Sequence, residues 1–296
     1  MTFKIIINCG ACRDFIGRCL ASVRAQTFAN WDAYVTVDPC GDDTSARAVL
    51  AAAGDPRIHV RANHTRRYSM GNLVAAVRRC GAAPEDVIVS LDGDDWFARD
   101  DSLEIIADAY EQFDCWVTYG SWLSVKLAPN GKPNGRWPAY PEGTVDFRGH
   151  PFLGTAVRTW KRWLWDHVRD DDLRNDAGEY VRVSEDKLVM IPLLELSGTP
   201  RAHHIDAPIM IYNKIVDYTI GDPFAEERER NAALIQRRPR YERLTRKAYA
   251  ACGRHGRLIA GRPLFASPDE RQNAGADDRH LAVIDLLHAP APDQKA

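Results

Sequence analysis

The first ninety residues alternate between short apolar runs and longer segments whose apolar residues recur every three or four positions. Short apolar runs predict buried strands, and the longer periodic segments predict helices. The predicted strands cover residues 3–8, 31–37, 58–61 and 87–91, and the predicted helices cover residues 15–26, 44–53 and 71–79. Because strands and helices alternate, the pattern indicates a parallel sheet with helices on its faces.

The rest of the chain has a less regular pattern. Further helices are predicted at residues 102–113, 159–168 and 185–196, and further strands at 115–119 and 207–212. From residue 223 onward the pattern becomes helical and charged. We therefore predict an α/β domain over residues 1–222, with a mostly parallel central sheet flanked by helices. A basic helical extension is predicted over residues 223–296, ending in a disordered tail.

An acidic cluster follows the fourth predicted strand directly, at Asp92-Gly93-Asp94-Asp95. Carboxylates packed this closely repel one another unless a cation lies between them. Mg²⁺ and Mn²⁺ prefer oxygen ligands, and typically take one or two carboxylates together with substrate phosphates. Asp38 also follows a predicted strand, and ligands of such sheets bind beyond the carboxyl ends of the strands. The pattern therefore favours a shared metal and phosphate site over an acidic surface turn.

Short motifs surround this cluster in a definite order. They are the S-V-x-x-Q-T-aromatic stretch at residues 22–28, Asp38, Gly41-Asp42-Asp43-Thr44, Asn63, Gly71-Asn72 and Ser184-Glu185-Asp186. With the acidic cluster, they resemble the motifs of family 2 glycosyltransferases over roughly residues 3–215. The resemblance implies the Rossmann-like GT-A fold. It also implies an inverting transfer of a sugar from a nucleoside diphosphate donor, usually a UDP-sugar, to an acceptor hydroxyl.

The resemblance also implies roles for individual residues. The donor would be bound by Asn8, Cys9, Asp38, Asn72, Asp92 and Gly93. A Mn²⁺ or Mg²⁺ cofactor would be held first by Asp94, with Asp95 and His204 as further ligands. Asp186 would be the general base, with Glu185 beside it, and the acceptor would meet Phe152, Gly154, Thr155 and Trp160. The opening loop, Asn8-Cys9-Gly10-Ala11, lacks the aromatic residue that usually stacks on the base in this family.

Each of these roles has a structural alternative. Asp38 would serve equally as a turn residue, and His204 as an ordinary surface or core histidine. The acids at 185 and 186 would also stabilise a helix N-terminus that is capped by Ser184. Trp160 would serve equally in core packing.

The acceptor is less determined than the donor. The formal net charge is only −2, but residues 237–262 carry nine Lys or Arg against one acid, Glu242. Such a stretch predicts either a solvated basic face or a peripheral contact with an anionic surface. A saccharide or lipid-linked glycan is the favoured acceptor by family frequency. The alternatives are a hydroxymethylated pyrimidine in DNA, whose phosphates the arginines would bind, and a non-catalytic module for nucleotide sugars or nucleic acid.

The compartment is predicted from the cysteines and the apolar runs. Seven cysteines are scattered along the chain without the recurring pairs of a zinc site, which is typical of a reduced, cytoplasmic protein. No apolar run approaches ~18 residues, so no transmembrane segment is expected. The first residues enter a predicted strand and do not resemble a signal peptide.

Overall fold

The amino-terminal half forms the parallel part of the sheet. The computed structural model describes residues 1–124, 138–213 and 223–244. Its first strands are β1 (Phe3–Cys9), β2 (Trp31–Val37), β3 (Ile58–Ala62) and β4 (Val87–Asp92), with α1 (Ile16–Arg24), α2 (Thr44–Ala52) and α3 (Tyr68–Arg79) between them. Strand β1 pairs in parallel with β2 and with β4, and β2 pairs in parallel with β3.

Strand β1 shows why this region forms a central sheet. Phe3, Ile5, Ile6 and Ile7 are completely buried, although neighbouring side chains point to opposite faces of the sheet. Ile5 and Ile7 belong to the apolar core that includes α1, whereas Ile6 belongs to the core that includes α3. A strand covered on both faces is apolar at most positions, so the isoleucine run indicates its central place.

The second half adds antiparallel strands to the same sheet. Its elements are β5 (Trp96–Phe97), α4 (Ser102–Phe113), β6 (Val117–Ser124), β7 (Arg158–Lys161), α5 (Arg162–Trp165), α6 (Glu185–Ser197), β8 (Ala202–Tyr212) and α7 (Ala225–Arg237). Within the described ranges the strand order is β3-β2-β1-β4-β7-β6-β8-β5. Strand β7 runs antiparallel to β4 and to β6, and β8 runs parallel to β6. The predicted α/β fold class, a central sheet flanked by helices, is confirmed, and the sheet that was predicted to be mostly parallel is mixed.

The predicted helix over residues 159–168 is wrong. Its first part is strand β7, and only Arg162–Trp165 is helical. Trp160 lies opposite Ile88 of β4 and is completely buried in the core beneath α3 and α6. The local pattern of an aromatic-rich segment of this length is compatible with a helix or a strand. Pairing with the available edge of β4 makes its first part a strand.

The carboxyl-terminal part packs on α6 through a buried ion pair. Both oxygens of the Glu195 carboxylate accept hydrogen bonds from Arg148, at 2.7 and 2.8 Å. The same guanidinium donates to the carbonyl oxygens of Ile235 and Pro239, at 2.6 and 3.2 Å. Arg148 therefore ties the chain after α7 to the body of the molecule.

The predicted basic stretch is only partly described. Arg237, Arg238 and Arg240 form ion pairs with Asp176, Asp172 and Asp146, respectively. These three arginines thus have partners within the chain, and residues 245–262 lie outside the described ranges. The predicted domain boundary at 222 and the predicted tail also lie outside them. In the portion of the chain that is described, no helix is both long enough and apolar enough to cross a membrane.

Candidate active site

The carboxyl ends of β1 and β4 lie side by side. Asn8 is the register partner of Asp92, and its carbonyl oxygen accepts the N–H of Gly93 at 2.9 Å. A Cβ atom on Gly93 would lie 2.3 Å from Sγ of Cys9, so only glycine allows this approach. The structure therefore brings together Asn8, Cys9, Asp92 and Gly93, four of the residues predicted to bind the donor.

A cleft of about 770 Å³ opens beside this junction and is called the carboxylate cleft below. It lies among the end of β4, the first turns of α3 and α6, strand β7 and the end of β8. Its lining includes Ser69, Asp92, Asp95, Trp122, Thr155, Arg158, Ser184, Glu185, Asp186 and Tyr212. Residues distant in sequence thus meet here, including the predicted base and its neighbour.

The acids of the cleft disfavour one another's charge. Burial raises the pKa of Glu185 to about 7, while Arg158 opposes that rise. One Glu185 oxygen accepts a hydrogen bond from the Ser69 hydroxyl at 2.9 Å. Burial also raises the pKa of Asp92, although 40% of its side chain is exposed to the cleft. A site with this excess of carboxylate favours a positively charged ligand.

Arg158 was missed by the sequence analysis. It lies on β7 opposite Ser90, only 6% exposed, on the sheet face that carries α3 and α6. Its guanidinium nitrogens approach Asp92 at 3.6 Å and Glu185 at 3.8 Å. Its neighbours Thr155 and Trp160 are predicted to meet the acceptor, so its position in the chain is a signal, but a helix predicted from residue 159 does not direct residue 158 into the cleft.

Trp122 and Tyr212 were also missed. Their rings meet edge to face, with centroids 5.1 Å apart, and both line the carboxylate cleft. Tyr212 is 37% exposed, whereas Trp122 is 8% exposed. Tyr212 ends a strand that was predicted, so its position at a strand end was an available signal. Trp122 had no comparable signal, because predicted strand 115–119 stopped short of it.

Asp38 and Asn72 belong to a separate buried network. Asn63 Nδ2 donates to Asp38 Oδ1 and to Asn72 Oδ1, at 2.8 Å in both cases. The backbone N–H groups of Arg67 and Tyr68 also donate to the Asp38 carboxylate, at 3.1 and 2.7 Å. Asp38 is 4% exposed and Asn72 is 2% exposed. The network holds the start of α3, where Tyr68 has a positive φ of 58°.

Comparison with known proteins decides the family. Residues 5–163, more than half of the chain, match the family model described as glycosyl transferase family 2. The chain belongs to glycosyl transferase family 2. No curated protein matches it by sequence. The sequence-based assignment to this family is therefore confirmed.

Crystal structures of S. aureus TarS share the fold of this family 2 chain. TarS 1–349 in complex with UDP-GlcNAc has a TM-score of 0.54 at 16% identity, over 73% of this chain and 60% of that one. TarS 1–349 in complex with UDP has a TM-score of 0.55 at 16% identity, over 93% and 78%. The chain thus spans about 60% of the TarS chain in the first comparison. At this identity the likeness shows the fold alone.

Two acids of the family 2 chain's acidic cluster have different environments. Asp95 is 2% exposed, and its Oδ1 accepts the N–H of Asn213 at 2.8 Å. Asp94 is half-buried, and burial together with the charge of Asp92 raises its pKa to about 6. Among the described residues no group of three His, Cys, Asp or Glu is arranged to hold a metal ion by itself. Oxygen atoms from the cluster fit a divalent cation only if donor phosphates complete its shell.

Of the residues predicted to meet the acceptor, some line the carboxylate cleft and others do not. Thr155 lines the carboxylate cleft, whereas Trp160 is buried and stacks on Trp165. A Cβ on Gly154 would lie 3.1 Å from Leu194, so this glycine permits close packing on α6. Phe152 also lies close to that Cβ position, at 3.2 Å, and is not among the residues that line the cleft.

His204 lies far from the acidic cluster. It packs against Tyr119 with a ring distance of 5.4 Å and precedes Tyr212 by eight residues in β8. Eight residues of extended strand span about 25 Å, so His204 does not reach a cation held at Asp94. The structure therefore corrects its assignment as a metal ligand.

A larger cavity of about 900 Å³ lies between α3 and α7. Its lining includes Arg78, Arg182 and Arg230, each of which forms an ion pair with an acid. None of the predicted site residues is among the described residues that line it. The chemistry therefore favours the smaller carboxylate cleft as the active site.

Proposed function

We propose that the chain is a metal-dependent, inverting glycosyltransferase that moves a sugar from a UDP-sugar to an acceptor hydroxyl. The observation that carries the proposal is the convergence of Asp92, Glu185 and Asp186 in one cleft, although β4 and α6 are far apart in sequence. Membership of family 2 supports the reaction class. The UDP and UDP-GlcNAc complexes of TarS support a uridine donor.

Asp186 is the general base in this proposal. It lies in the first turn of α6 and lines the cleft. Its carboxylate takes the proton of the acceptor hydroxyl as the hydroxyl oxygen attacks the anomeric carbon. The bond between that carbon and the diphosphate oxygen breaks on the opposite face. A single displacement of this kind inverts the anomeric configuration.

Asp94 is the first choice for the metal, with Asp95 contributing through the oxygen that Asn213 does not engage. Bound Mn²⁺ or Mg²⁺ supplies positive charge that stabilises the leaving diphosphate. The loop that carries both acids begins where β4 ends beside Asn8 and Cys9. The protein thereby sets the diphosphate end of the donor against the strand ends, and the sugar toward Asp186.

The aromatic pair Trp122 and Tyr212 supports a saccharide acceptor. Aromatic rings combine a large apolar surface with a polar edge, which suits the mixed surface of a sugar ring. Thr155 lies in the same lining and can hydrogen-bond a hydroxyl. The DNA alternative gains no support from the described basic residues, because Arg237, Arg238 and Arg240 are paired with acids.

Donor turnover is the primary test. The purified protein is incubated with a panel of nucleotide sugars, with and without Mn²⁺, and release of nucleoside diphosphate is measured. We expect release from at least one UDP-sugar, and its loss when EDTA is added. If no donor turns over with any acceptor while nucleotide sugars still bind, the chain is a binding module and the proposal is wrong.

Acceptor class requires a second screen. Saccharides, lipid-linked glycans and hydroxymethylated oligonucleotides are offered with the best donor, and labelled product is counted. We expect transfer to the glycans. Transfer to oligonucleotides alone, with an affinity that falls steeply as salt rises, would replace the glycan acceptor by DNA.

A further inference from the structure

Arg158 carries a buried charge whose hydrogen-bonding capacity the described residues do not use. Its side chain is only 8% exposed. A guanidinium has five N–H donors and accepts no hydrogen bond. In the described ranges Arg158 forms no hydrogen bond, and its buried Nε has no partner. Buried polar groups in folded proteins nearly always have partners, so an unpartnered guanidinium in a cleft indicates a ligand.

The two neighbouring carboxylates stabilise the charge without filling these donors. The closest nitrogen to oxygen distances are 3.6 Å to Asp92 and 3.8 Å to Glu185, beyond the usual range of a hydrogen bond. The Oε1 atom of Glu185 is itself buried and, among the described residues, has no partner. Unused donors on Arg158 and an unused acceptor on Glu185 therefore lie next to one another.

The position of this pair relates it to the proposed reaction, on which the inference rests. The donor sugar must lie between the acidic loop at residues 92–95, which faces the diphosphate, and the base Asp186. Arg158 lies between Asp92 and Glu185, in the lining of the same cleft. Its guanidinium therefore faces the sugar ring of a bound donor.

We infer that Arg158 and Glu185 form a hydroxyl-binding pair that recognises the sugar ring of the donor. A ring hydroxyl both donates and accepts a hydrogen bond, so it satisfies the guanidinium and the carboxylate together. Two neighbouring hydroxyls would engage both groups at once. Arg158 is thereby a specificity-determining residue for the sugar, separate from the residues that hold the nucleotide.

Charge argues against a phosphate ligand at Arg158. Glu185, Asp92 and Asp186 all interact electrostatically with its guanidinium. A diphosphate placed there would meet these acids at short range and would be repelled by them. A neutral hydroxyl accepts from the guanidinium without that repulsion. The pair is therefore suited to an uncharged sugar more than to an anion.

The test separates binding of the sugar from binding of the nucleotide. Affinities for UDP and for UDP-GlcNAc, UDP-glucose and UDP-galactose are measured by calorimetry with Mn²⁺ for the unsubstituted protein and Arg158→Gln. We expect the best-bound UDP-sugar to lose roughly 10- to 100-fold in affinity, as for loss of a charge-assisted hydrogen bond, while UDP changes less than about twofold. Equal losses for UDP and UDP-sugar, or no loss for either, would overturn the inference.

Two further variants keep the test decisive. Arg158→Lys retains the charge and supplies a single ammonium group, so its UDP-sugar affinity should lie between those of the unsubstituted protein and Arg158→Gln. It replaces Arg158→Gln if the latter does not fold. Arg148→Lys is the matched control, since that buried arginine bonds only to protein and should leave the ratio of the two affinities unchanged. If the unsubstituted protein binds neither UDP nor any UDP-sugar, the proposed function fails first, and the inference fails with it.

Discussion

Two buried arginines of this protein differ in how fully the protein satisfies them. Arg148 donates to both oxygens of Glu195 at 2.7 and 2.8 Å, and to backbone carbonyl oxygens as well. Arg158 is nearly as buried, but its nearest acids are 3.6 and 3.8 Å away and it forms no hydrogen bond with the described residues. The first arrangement is complete within the described residues, whereas the second leaves donors that a ligand can engage.

The same difference separates two groups of polar residues at the strand ends. The Asp38 carboxylate accepts N–H groups from Asn63, Arg67 and Tyr68. Among the described residues, Glu185 accepts a side-chain hydrogen bond only from the Ser69 hydroxyl, and burial raises its pKa to about 7. Satisfied clusters stabilise the fold, whereas unsatisfied clusters cost stability and indicate a binding site. Burial alone does not distinguish the two kinds.

Substitution of the proposed base should have the largest effect on the unsatisfied cluster. Asp186→Asn removes proton abstraction and should lower kcat by about 10²- to 10⁴-fold, because general base catalysis supplies factors of that size. UDP-sugar affinity should stay within about threefold, since an amide preserves the shape of the side chain. The measurement is nucleoside diphosphate release together with calorimetry. An Asp186→Asn protein that keeps full activity would exclude this residue as the base.

Breaking the satisfied arginine should affect stability and not the reaction. Arg148→Met leaves the Glu195 carboxylate buried without its partner, which should lower the free energy of unfolding by about 3–5 kcal/mol. Urea denaturation measures the loss, and the same substitution chemistry at position 158 should cost less. Activity per folded molecule should be unchanged, because Arg148 does not line the cleft. A greater loss of stability at position 158 would reverse the comparison.

Asp38 tests whether the satisfied network also binds the base. Asp38→Asn turns an N–H donor toward the backbone N–H groups of Arg67 or Tyr68. The free energy of unfolding should therefore fall by about 1–3 kcal/mol. UDP affinity should fall only modestly, through movement at the start of α3. If UDP affinity falls more than tenfold while stability is kept, Asp38 contacts the base directly, as the family resemblance implies.

The pH dependence of stability should show the smallest effect. The pKa of Glu185 is raised from 4.5 to about 7 by burial. A carboxyl raised in this way contributes stability below its unfolded pKa and loses that contribution as pH rises through about 7. The free energy of unfolding of the unsubstituted protein should therefore fall between pH 5 and 8, and this group should account for about 1–3 kcal/mol of the fall. Glu185→Gln should flatten the dependence, and parallel melting curves for both proteins would contradict the assignment.

The parallel half of the sheet was predicted well because its signals are local. Strand β2 was predicted at residues 31–37 and is observed at Trp31–Val37, and helix α2 was predicted at 44–53 and is observed at Thr44–Ala52. Strands buried on both faces are apolar at most positions, which makes them easy to recognise. The family motifs follow these same strands, so the family was recognised as well.

The antiparallel half was predicted poorly because its pairing is not local. Strand β7 has only four residues, Arg158–Lys161, and its partners β4 and β6 lie distant in sequence. Three of its four residues, Arg158, Thr159 and Lys161, are polar, so no apolar alternation marks a strand and the aromatic-rich pattern predicts a helix. The resemblance implied site roles for His204 and Trp160, although the first lies near the start of β8, away from the cleft, and the second lies in the core.

The sequence by itself determined the parallel core, the family and the acids available for chemistry. Each of these features is encoded locally, because an isoleucine run or a short motif spans only a few neighbouring residues. Only the tertiary structure decided which acids are satisfied and which face a cleft, and it alone brought Arg158 between Asp92 and Glu185. The physical reason is that hydrogen-bond satisfaction depends on distances of about 3 Å between residues that the sequence separates widely.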